Sequence, residues 1–160
     1  MDDDKILIFL DFDGVTHPIS GSPMQLRRCM DALKIALNSF QLEVVVSSSW
    51  REINTLDELK NILSLLNVKI QGVTPIINEP FIKYVRYHEV LKYLQDTNQN
   101  FRRWIAIDDT KGFYPEDAPV YCTNPKTGFV EDDIPKFQTM VFNEIIKKAL
   151  KDGDYIDYEF

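Results

Sequence analysis

The stretch Ile6-Leu7-Ile8-Phe9-Leu10-Asp11-Phe12-Asp13-Gly14 decides the fold of this chain. Its first five residues are all apolar, and an acidic turn that contains glycine follows them directly. A short, continuous apolar run of this kind is typical of a central strand that is buried on both faces of a parallel sheet. The sequence therefore predicts a buried first strand that ends at a pair of carboxylates.

The rest of the chain alternates predicted helices with predicted strands. Ser22 and Gln25 form a capping box around Pro23, so a first helix begins here, and Leu26, Met30, Leu33, Leu37 and Phe40 are its predicted core face. Further strands are predicted at 44–46, 68–72, 104–107 and 120–122, and further helices after Thr55, at 82–95 and at 134–150, the last with Phe137, Val141, Ile145 and Ala149 facing the core. Strands separated by helices imply right-handed crossovers. The predicted fold is α/β, a doubly wound and mainly parallel sheet flanked by helices.

Length and composition predict a single soluble domain over residues 1–160. Hydrophobic residues make up 44% of the chain and charged residues 27%, which are ordinary globular values. The apolar runs are far shorter than the roughly 20 residues that cross a bilayer, and the acidic start is unlike a secretory signal. Two cysteines without CxxC spacing indicate no metal or disulfide framework. We therefore expect a cytoplasmic protein with loosely ordered acidic ends at 1–5 and 152–160.

The overall charge narrows the range of partners. The formal net charge of −7 argues against a broad electropositive surface for nucleic acid, although a local basic patch is compatible with it. We expect no membrane partner and infer no obligate protein partner.

Polar side chains are predicted to converge at the carboxyl ends of the strands. Asp11 and Asp13 follow the first strand, Ser47 follows the second, and Asp108 and Asp109 follow the fourth. Ligands of open α/β sheets bind outside these strand ends. Carboxylates placed so close together repel each other unless a cation lies between them, and hard oxygen ligands suit Mg²⁺. The sequence therefore predicts a magnesium site at which a carboxylate could attack a phosphate.

A calcium loop is the main alternative interpretation of an Asp-x-Asp-Gly segment. An EF-hand loop needs Glu at its twelfth position, and counting from Asp11 that position is Ser22. The calcium interpretation therefore fails.

The order of the motifs resembles that of the haloacid dehalogenase-like (HAD) phosphohydrolases. Their four motifs correspond here to Asp11-Phe12-Asp13-Gly14-Val15, Val44-Val45-Val46-Ser47, a basic residue before a helix, and Ile105-Ala106-Ile107-Asp108-Asp109. More narrowly, the segments 11–18, 47–51, 86–90 and 127–129 resemble small HAD domains that occur in RNA-repair proteins.

The resemblance implies a role for each of these side chains. Asp11 is implied as the nucleophile and a Mg²⁺ ligand. Asp13 is implied as the general acid and base, with its backbone carbonyl at the metal. Ser47 would donate a hydrogen bond to a phosphoryl oxygen. Asp108 or Asp109 would complete the metal site, and the sequence leaves the choice between them open.

The third motif departs from the family pattern, in which the cation is most often a lysine. Lys83 and Arg86 both precede or begin the predicted helix, and either could bind phosphate. The resemblance favours Arg86, because Glu89-Val90 follows it at the familiar spacing.

Other polar and aromatic residues near the motifs have structural interpretations. Trp50 and Arg51 could line a substrate groove, but a tryptophan here could equally belong to the core and the arginine could pair with a carboxylate. His17 is expected to be a hydrogen-bonded turn residue, and His88 is expected to face solvent.

The segments after the first and second strands are too short for a large cap domain, so we expect a minimal cap or none and an open active site. By the resemblance, capless members act on macromolecular ends or bulky substrates. The predicted function is a Mg²⁺-dependent phosphatase that cleaves a phosphomonoester through a phospho-aspartyl intermediate, with a polynucleotide terminus as one candidate substrate. The alternatives are a phosphatase of phosphoproteins or small phosphate esters, and a HAD-fold binding domain without turnover.

Overall fold

Five parallel strands form the centre of the computed structural model, which describes residues 5–151. The strands are β1 (Ile6–Leu10), β2 (Leu42–Val46), β3 (Lys69–Val73), β4 (Trp104–Asp108) and β5 (Val120–Cys122). Their spatial order is β3-β2-β1-β4-β5, and every neighbouring pair is parallel. The predicted parallel sheet is confirmed, with β1, the strand that Asp11 directly follows, at its centre.

Four helices cover the two faces of the sheet: α1 (Pro23–Asn38), α2 (Leu56–Ile62), α3 (Val85–Asp96) and α4 (Asp133–Lys151). Buried residues of α1, α2 and α4 share one core cluster with one face of the sheet, and those of α3 share a second cluster with the other face. Short 3₁₀ turns lie at Ser49–Glu52, Ser64–Leu66 and Lys111–Phe113. The doubly wound α/β class is therefore confirmed.

The composition of β1 follows from its position between the two layers of helices. Successive side chains of a strand point to opposite faces. Ile6, Ile8 and Leu10 belong to the larger core cluster, whereas Leu7 and Phe9 belong to the smaller one. All five side chains are buried, which explains why the run has no polar member.

Two helices begin where their capping residues predict. The Ser22 backbone N–H donates to Gln25 Oε1 at 2.7 Å, and α1 starts at the next residue, Pro23. The Glu58 backbone N–H donates to Thr55 Oγ1 at 3.2 Å, and α2 starts after Thr55. These contacts satisfy backbone groups that a helix N-terminus leaves without intrahelical partners.

The third helix begins later than predicted. The sequence pattern predicts a start at about residue 82, but α3 starts at Val85. Phe81 and Tyr84 have φ angles of 70° and 59°, so the backbone passes through the left-handed region just before the helix. Non-glycine residues rarely adopt this conformation, and the sequence pattern gives no sign of it.

The predicted core faces are correct in their central parts and wrong at two positions. Met30, Leu33 and Leu37 of α1 are buried. Leu26 is 42% exposed because it lies in the first turn of α1 and lines an open groove, and Ile145 is 43% exposed because the buried face of α4 extends only as far as Val141.

The structure tests two predictions about the whole chain only within the residues that it describes. The predicted loose acidic ends fall, apart from Lys5, outside the described residues. Among residues 5–151, no helix combines the length and the apolar character that a membrane crossing requires.

The docking of α4 can be tested with a matched pair of phenylalanines. Phe137 is fully buried against Phe129 and Tyr121, whereas Phe142 on the same helix is 53% exposed. Phe137→Ala should lower the free energy of unfolding by about 3–5 kcal/mol, because it leaves a cavity in the core. Phe142→Ala should change it by no more than about 0.5 kcal/mol. Urea unfolding measures both, and equal losses would show that α4 is not held by this contact.

Candidate active site

The polar residues predicted to converge are brought together at one edge of the sheet. Asp11 directly follows β1, Ser47 directly follows β2, and Asp108 is the last residue of β4. The backbone N–H of Asp11 donates to the Ile107 carbonyl at 3.0 Å, and that of Ser47 donates to the Leu10 carbonyl at 3.0 Å. The strand pairing therefore places the three residues side by side at the carboxyl edge.

Asp11, Asp108 and Asp109 form an acidic cluster. Each offers a carboxylate oxygen within 4.8 Å of the others, and Asp11 and Asp108 are buried. Burial raises the pKa of Asp11 to about 6, and the negative charges of Asp109 and Asp13 add to the effect. Burial, reinforced by the charge of Asp11, raises the pKa of Asp108 to about 8.

The acidic cluster fits a divalent cation. Burial disfavours the charged forms of Asp11 and Asp108, which is why their pKa values are raised, and a bound cation would stabilise those charged forms. Carboxylate oxygens are also the ligands that Mg²⁺ prefers. Oxygens of both Asp108 and Asp109 lie in the cluster, so the geometry supports ligation by either.

Glycine is required at position 14 to make room for Asp109. Gly14 has a φ of +75°, which side chains rarely tolerate, and a Cβ built on it would lie 2.8 Å from Cγ of Asp109. The Thr123 hydroxyl donates to the Gly14 carbonyl at 2.7 Å, while the Thr123 N–H donates to the Asp108 carbonyl at 3.0 Å. Thr123 thereby joins the loops that carry the acidic cluster.

Two neighbours fix the orientation of the Asp108 carboxylate. The Thr110 backbone N–H donates to its Oδ1 at 2.9 Å, and the Tyr114 hydroxyl donates to its Oδ2 at 3.3 Å. Burial raises the pKa of Tyr114, so its hydroxyl remains a donor at neutral pH. The sequence pattern did not single out Thr110 or Tyr114. Both contact the Asp108 carboxylate from the loop that follows β4.

Ser47 offers a hydroxyl that the protein leaves unused. Its side chain is buried, and its Oγ has no hydrogen-bond partner among the described residues. A buried hydroxyl without a partner costs about 1–3 kcal/mol. This donor lies beside Asp11, where a bound phosphoryl oxygen could accept from it.

The structure separates the two candidate cations. The positive charge of Arg86 opposes the raised pKa of both Asp11 and Asp108, so its guanidinium lies near the acidic cluster. The Lys83 side chain is exposed, and its Nζ lies 4.7 Å from the centroid of the Tyr84 ring. The geometry thus brings Arg86 to the carboxylates and directs Lys83 to an aromatic ring.

Arg86 is held by a buried carboxylate that sequence reasoning missed. Its Nη1 donates to Glu89 Oε2 at 3.3 Å, and the same oxygen accepts from Arg51 Nη2 at 2.8 Å. Glu89 Oε1 accepts the backbone N–H of Ile77 at 3.2 Å. Arg51, for which the sequence left a groove or an ion pair open, is therefore an ion-pair residue. The spacing of three between Arg86 and Glu89 on one helix was the available signal.

Asp13 lies in different surroundings from Asp11. Its side chain is 52% exposed, and within residues 5–151 the acidic cluster does not include its carboxylate. Trp50 Nε1 lies 3.2 Å from its Oδ2, and His17 Nε2 lies 3.0 Å from its Oδ1. His17 is therefore a neighbour of a site residue as well as a turn residue, whereas His88 is exposed as expected.

An apolar groove begins beside Asp13. Its volume is about 460 Å³, and His17 and Trp50, the two side chains that contact Asp13, form part of its wall. Arg27 is the cation among its lining residues. Most of the remaining wall is apolar, formed by Phe12, Pro18, Leu26, Met30, Ile62 and Leu65.

Comparison with known families agrees with this geometry. Residues 7–134 match the family model described as the HAD domain in Swiss Army Knife RNA repair proteins. The chain belongs to this family. No curated protein and no solved structure matches it. As a HAD domain it is a phosphohydrolase in its general class, and the family generally uses Mg²⁺, for which the acidic cluster of this domain is a fitting site.

The raised pKa of Asp108 predicts how the stability of the metal-free domain depends on pH. Between pH 3.8 and about 8 the Asp108 carboxyl group keeps its proton in the folded domain but releases it in the unfolded chain. The free energy of unfolding should therefore fall as the pH rises through this range, by up to about 1.4 kcal/mol per pH unit. Urea unfolding in the presence of a chelator measures the slope.

Asp108→Asn should abolish the decline in the free energy of unfolding between pH 6 and 8. Asp11, whose pKa is about 6, has released its proton by this interval, so the decline there comes from Asp108. Asp31→Asn, an exposed residue on α1, is the matched control and should keep the wild-type slope. A wild-type profile that rises with pH over this interval would contradict the assignment.

Proposed function

We propose that this HAD domain is a Mg²⁺-dependent phosphatase that hydrolyses a phosphomonoester through a phospho-aspartyl intermediate on Asp11. The observation that carries the proposal is the acidic cluster at the carboxyl edge of the sheet, beside an unused Ser47 hydroxyl and the Arg86 guanidinium. A magnesium ion held by Asp11, Asp108 and Asp109 would supply the positive charge that lets an anionic carboxylate approach an anionic phosphate.

In the first step, a carboxylate oxygen of Asp11 attacks the phosphorus atom. The bond between phosphorus and the ester oxygen breaks, and the leaving oxygen takes a proton from the Asp13 carboxyl group. Ser47 Oγ donates to one phosphoryl oxygen and Arg86 donates to another. These donors act where negative charge develops, inside a site that is partly shielded from water.

In the second step, a water molecule attacks the phosphorus of the phospho-aspartyl group. The Asp13 carboxylate takes a proton from this water, so that it is again ready to protonate the next leaving group. The bond between phosphorus and the Asp11 oxygen breaks, which releases inorganic phosphate and restores the Asp11 carboxylate. One carboxylate is thus the nucleophile, and the other transfers the protons.

An open site supports a large substrate. The segment between β1 and β2 holds a loop and α1, and that between β2 and β3 holds α2 with two short 3₁₀ turns. Both segments are described in full, and neither contains a cap domain. A terminal phosphate of a polynucleotide is our first candidate substrate, since the family is described by its occurrence in RNA repair proteins. Phosphoproteins and small phosphate esters are the alternatives that a substrate panel would distinguish.

The nucleophile assignment predicts the behaviour of Asp11→Asn. Its kcat on p-nitrophenyl phosphate with Mg²⁺ should fall by at least about a thousandfold, because the covalent route is lost. Removal of Mg²⁺ with a chelator should abolish the wild-type activity. The panel for both proteins includes 5′- and 3′-phosphorylated oligonucleotides, phosphopeptides and nucleotides. If Asp11→Asn and the wild type hydrolysed any of these equally fast, Asp11 would not be the nucleophile.

The third-motif cation predicts a contrast between two alanine variants. Arg86→Ala should lower kcat/KM by roughly a hundredfold to a thousandfold, because a charged donor to the phosphoryl group is removed. Lys83→Ala, the matched control at the exposed cation whose Nζ lies 4.7 Å from the centroid of the Tyr84 ring, should remain near the wild-type value. The reverse order of the two effects would assign the role to Lys83.

A further inference from the structure

We propose that His17 and Trp50 are positioning residues for Asp13, which hold its carboxylate in the orientation needed to protonate the leaving oxygen. This inference rests on the proposed phosphatase function and adds two residues to it. Neither side chain belongs to the acidic cluster of Asp11, Asp108 and Asp109.

The Asp13 carboxylate lies within hydrogen-bond distance of two ring nitrogens, Nε1 of Trp50 and Nε2 of His17, and the latter donates when His17 carries its hydrogen on Nε2. Trp50 Nε1 lies 3.3 Å from Oδ1 and 3.2 Å from Oδ2, so its N–H is shared between the two oxygens. His17 Nε2 lies 3.0 Å from Oδ1. The side chain is 52% exposed, and an exposed aspartate without such partners samples several rotamers. Two donors from separate segments restrict it to one.

Both donors are themselves fixed. The Trp50 ring packs edge-on against the buried Phe12, with 5.4 Å between the ring centroids. The Trp50 backbone N–H donates to Ser48 Oγ at 3.2 Å. His17 Nδ1 lies 2.9 Å from the hydroxyl of the buried Thr16, and when Nδ1 accepts from this hydroxyl the ring hydrogen is on Nε2, which then donates to Asp13. A rigid second layer of this kind is what holds a catalytic group in a productive geometry.

The two oxygens of Asp13 are not equivalent in this arrangement. Oδ1 faces both donors, whereas Oδ2 faces only the shared indole N–H. A carboxylate oxygen has two lone pairs, so Oδ2 keeps one that neither donor occupies. Oδ2 is therefore the oxygen that gives its proton to the leaving group and accepts the proton of the attacking water.

This positioning role predicts an effect that depends on the leaving group. Nitrophenolate is a stable anion and needs little protonation as it departs, whereas an alkoxide needs a proton. A misplaced Asp13 should therefore slow the hydrolysis of an alkyl phosphate far more than that of p-nitrophenyl phosphate. A purely structural defect, or a loss of phosphate binding, would slow both substrates by the same factor.

The test compares kcat and KM of variants on p-nitrophenyl phosphate and on glycerol phosphate. Trp50→Phe keeps the ring but removes the N–H, and His17→Leu removes the other donor. Each should lower kcat on glycerol phosphate at least tenfold more than on p-nitrophenyl phosphate, in the same direction as Asp13→Asn. His17→Gln, which retains an N–H donor, should restore much of the difference. His88→Leu, at the exposed histidine of α3, should match the wild type on both.

A second measurement does not depend on activity. The chain has two tryptophans, and Trp104 lies in β4, so its indole N–H resonance in a ¹H–¹⁵N spectrum serves as an internal reference. Asp13→Ala should shift the Trp50 indole resonance and leave that of Trp104 in place. An unshifted Trp50 resonance, or equal losses on the two substrates, would overturn the positioning role. Failure of the proposed function would instead appear as a wild-type protein without Mg²⁺-dependent activity on either substrate.

Discussion

Arg51 and Glu89 form an ion pair inside the protein, with side chains 2% and 5% exposed. Burying two charges costs several kcal/mol for each ion unless both are paired and fully hydrogen-bonded. Arg51 meets this condition by donating also to backbone carbonyls, among them those of Ser47 and Thr74. The pair therefore ties the end of β2 and the segment after β3 to α3, and it fixes Ser47 relative to Arg86.

The acidic cluster needs support from the backbone because its own members repel each other. Asp11, Asp108 and Asp109 are held within 4.8 Å by backbone hydrogen bonds between β1 and β4, and not by attraction between their side chains. The charge of Arg86 offsets the repulsion only in part, since Arg86 also pairs with Glu89 and the pKa values of Asp11 and Asp108 remain raised. The protein thus holds a destabilising arrangement that a bound cation would relieve.

The sequence predicted those features that local pattern determines. The apolar run before Asp11 and the alternation of strands with helices predicted the parallel sheet. The sheet in turn predicted that Asp11, Ser47 and Asp108 lie close together. Contacts between distant segments were not predictable: Arg51 and Glu89 are 38 residues apart, and Trp50 and Asp13 are 37 apart. A one-dimensional pattern does not specify which side chains of different loops meet.

The choice between Lys83 and Arg86 shows how a helix start determines a site. In a helix beginning at residue 82, Lys83 and Arg86 would lie three residues apart on one face, so the sequence pattern does not separate them. The left-handed conformation of Tyr84 delays the helix to Val85, so that Arg86 lies in its first turn and Lys83 lies before it. Glu89 then follows Arg86 by three residues and can bind it while pairing with Arg51. Our proposal of Arg86 as the phosphate-binding cation therefore rests on the backbone conformation of Tyr84 and on the buried carboxylate of Glu89.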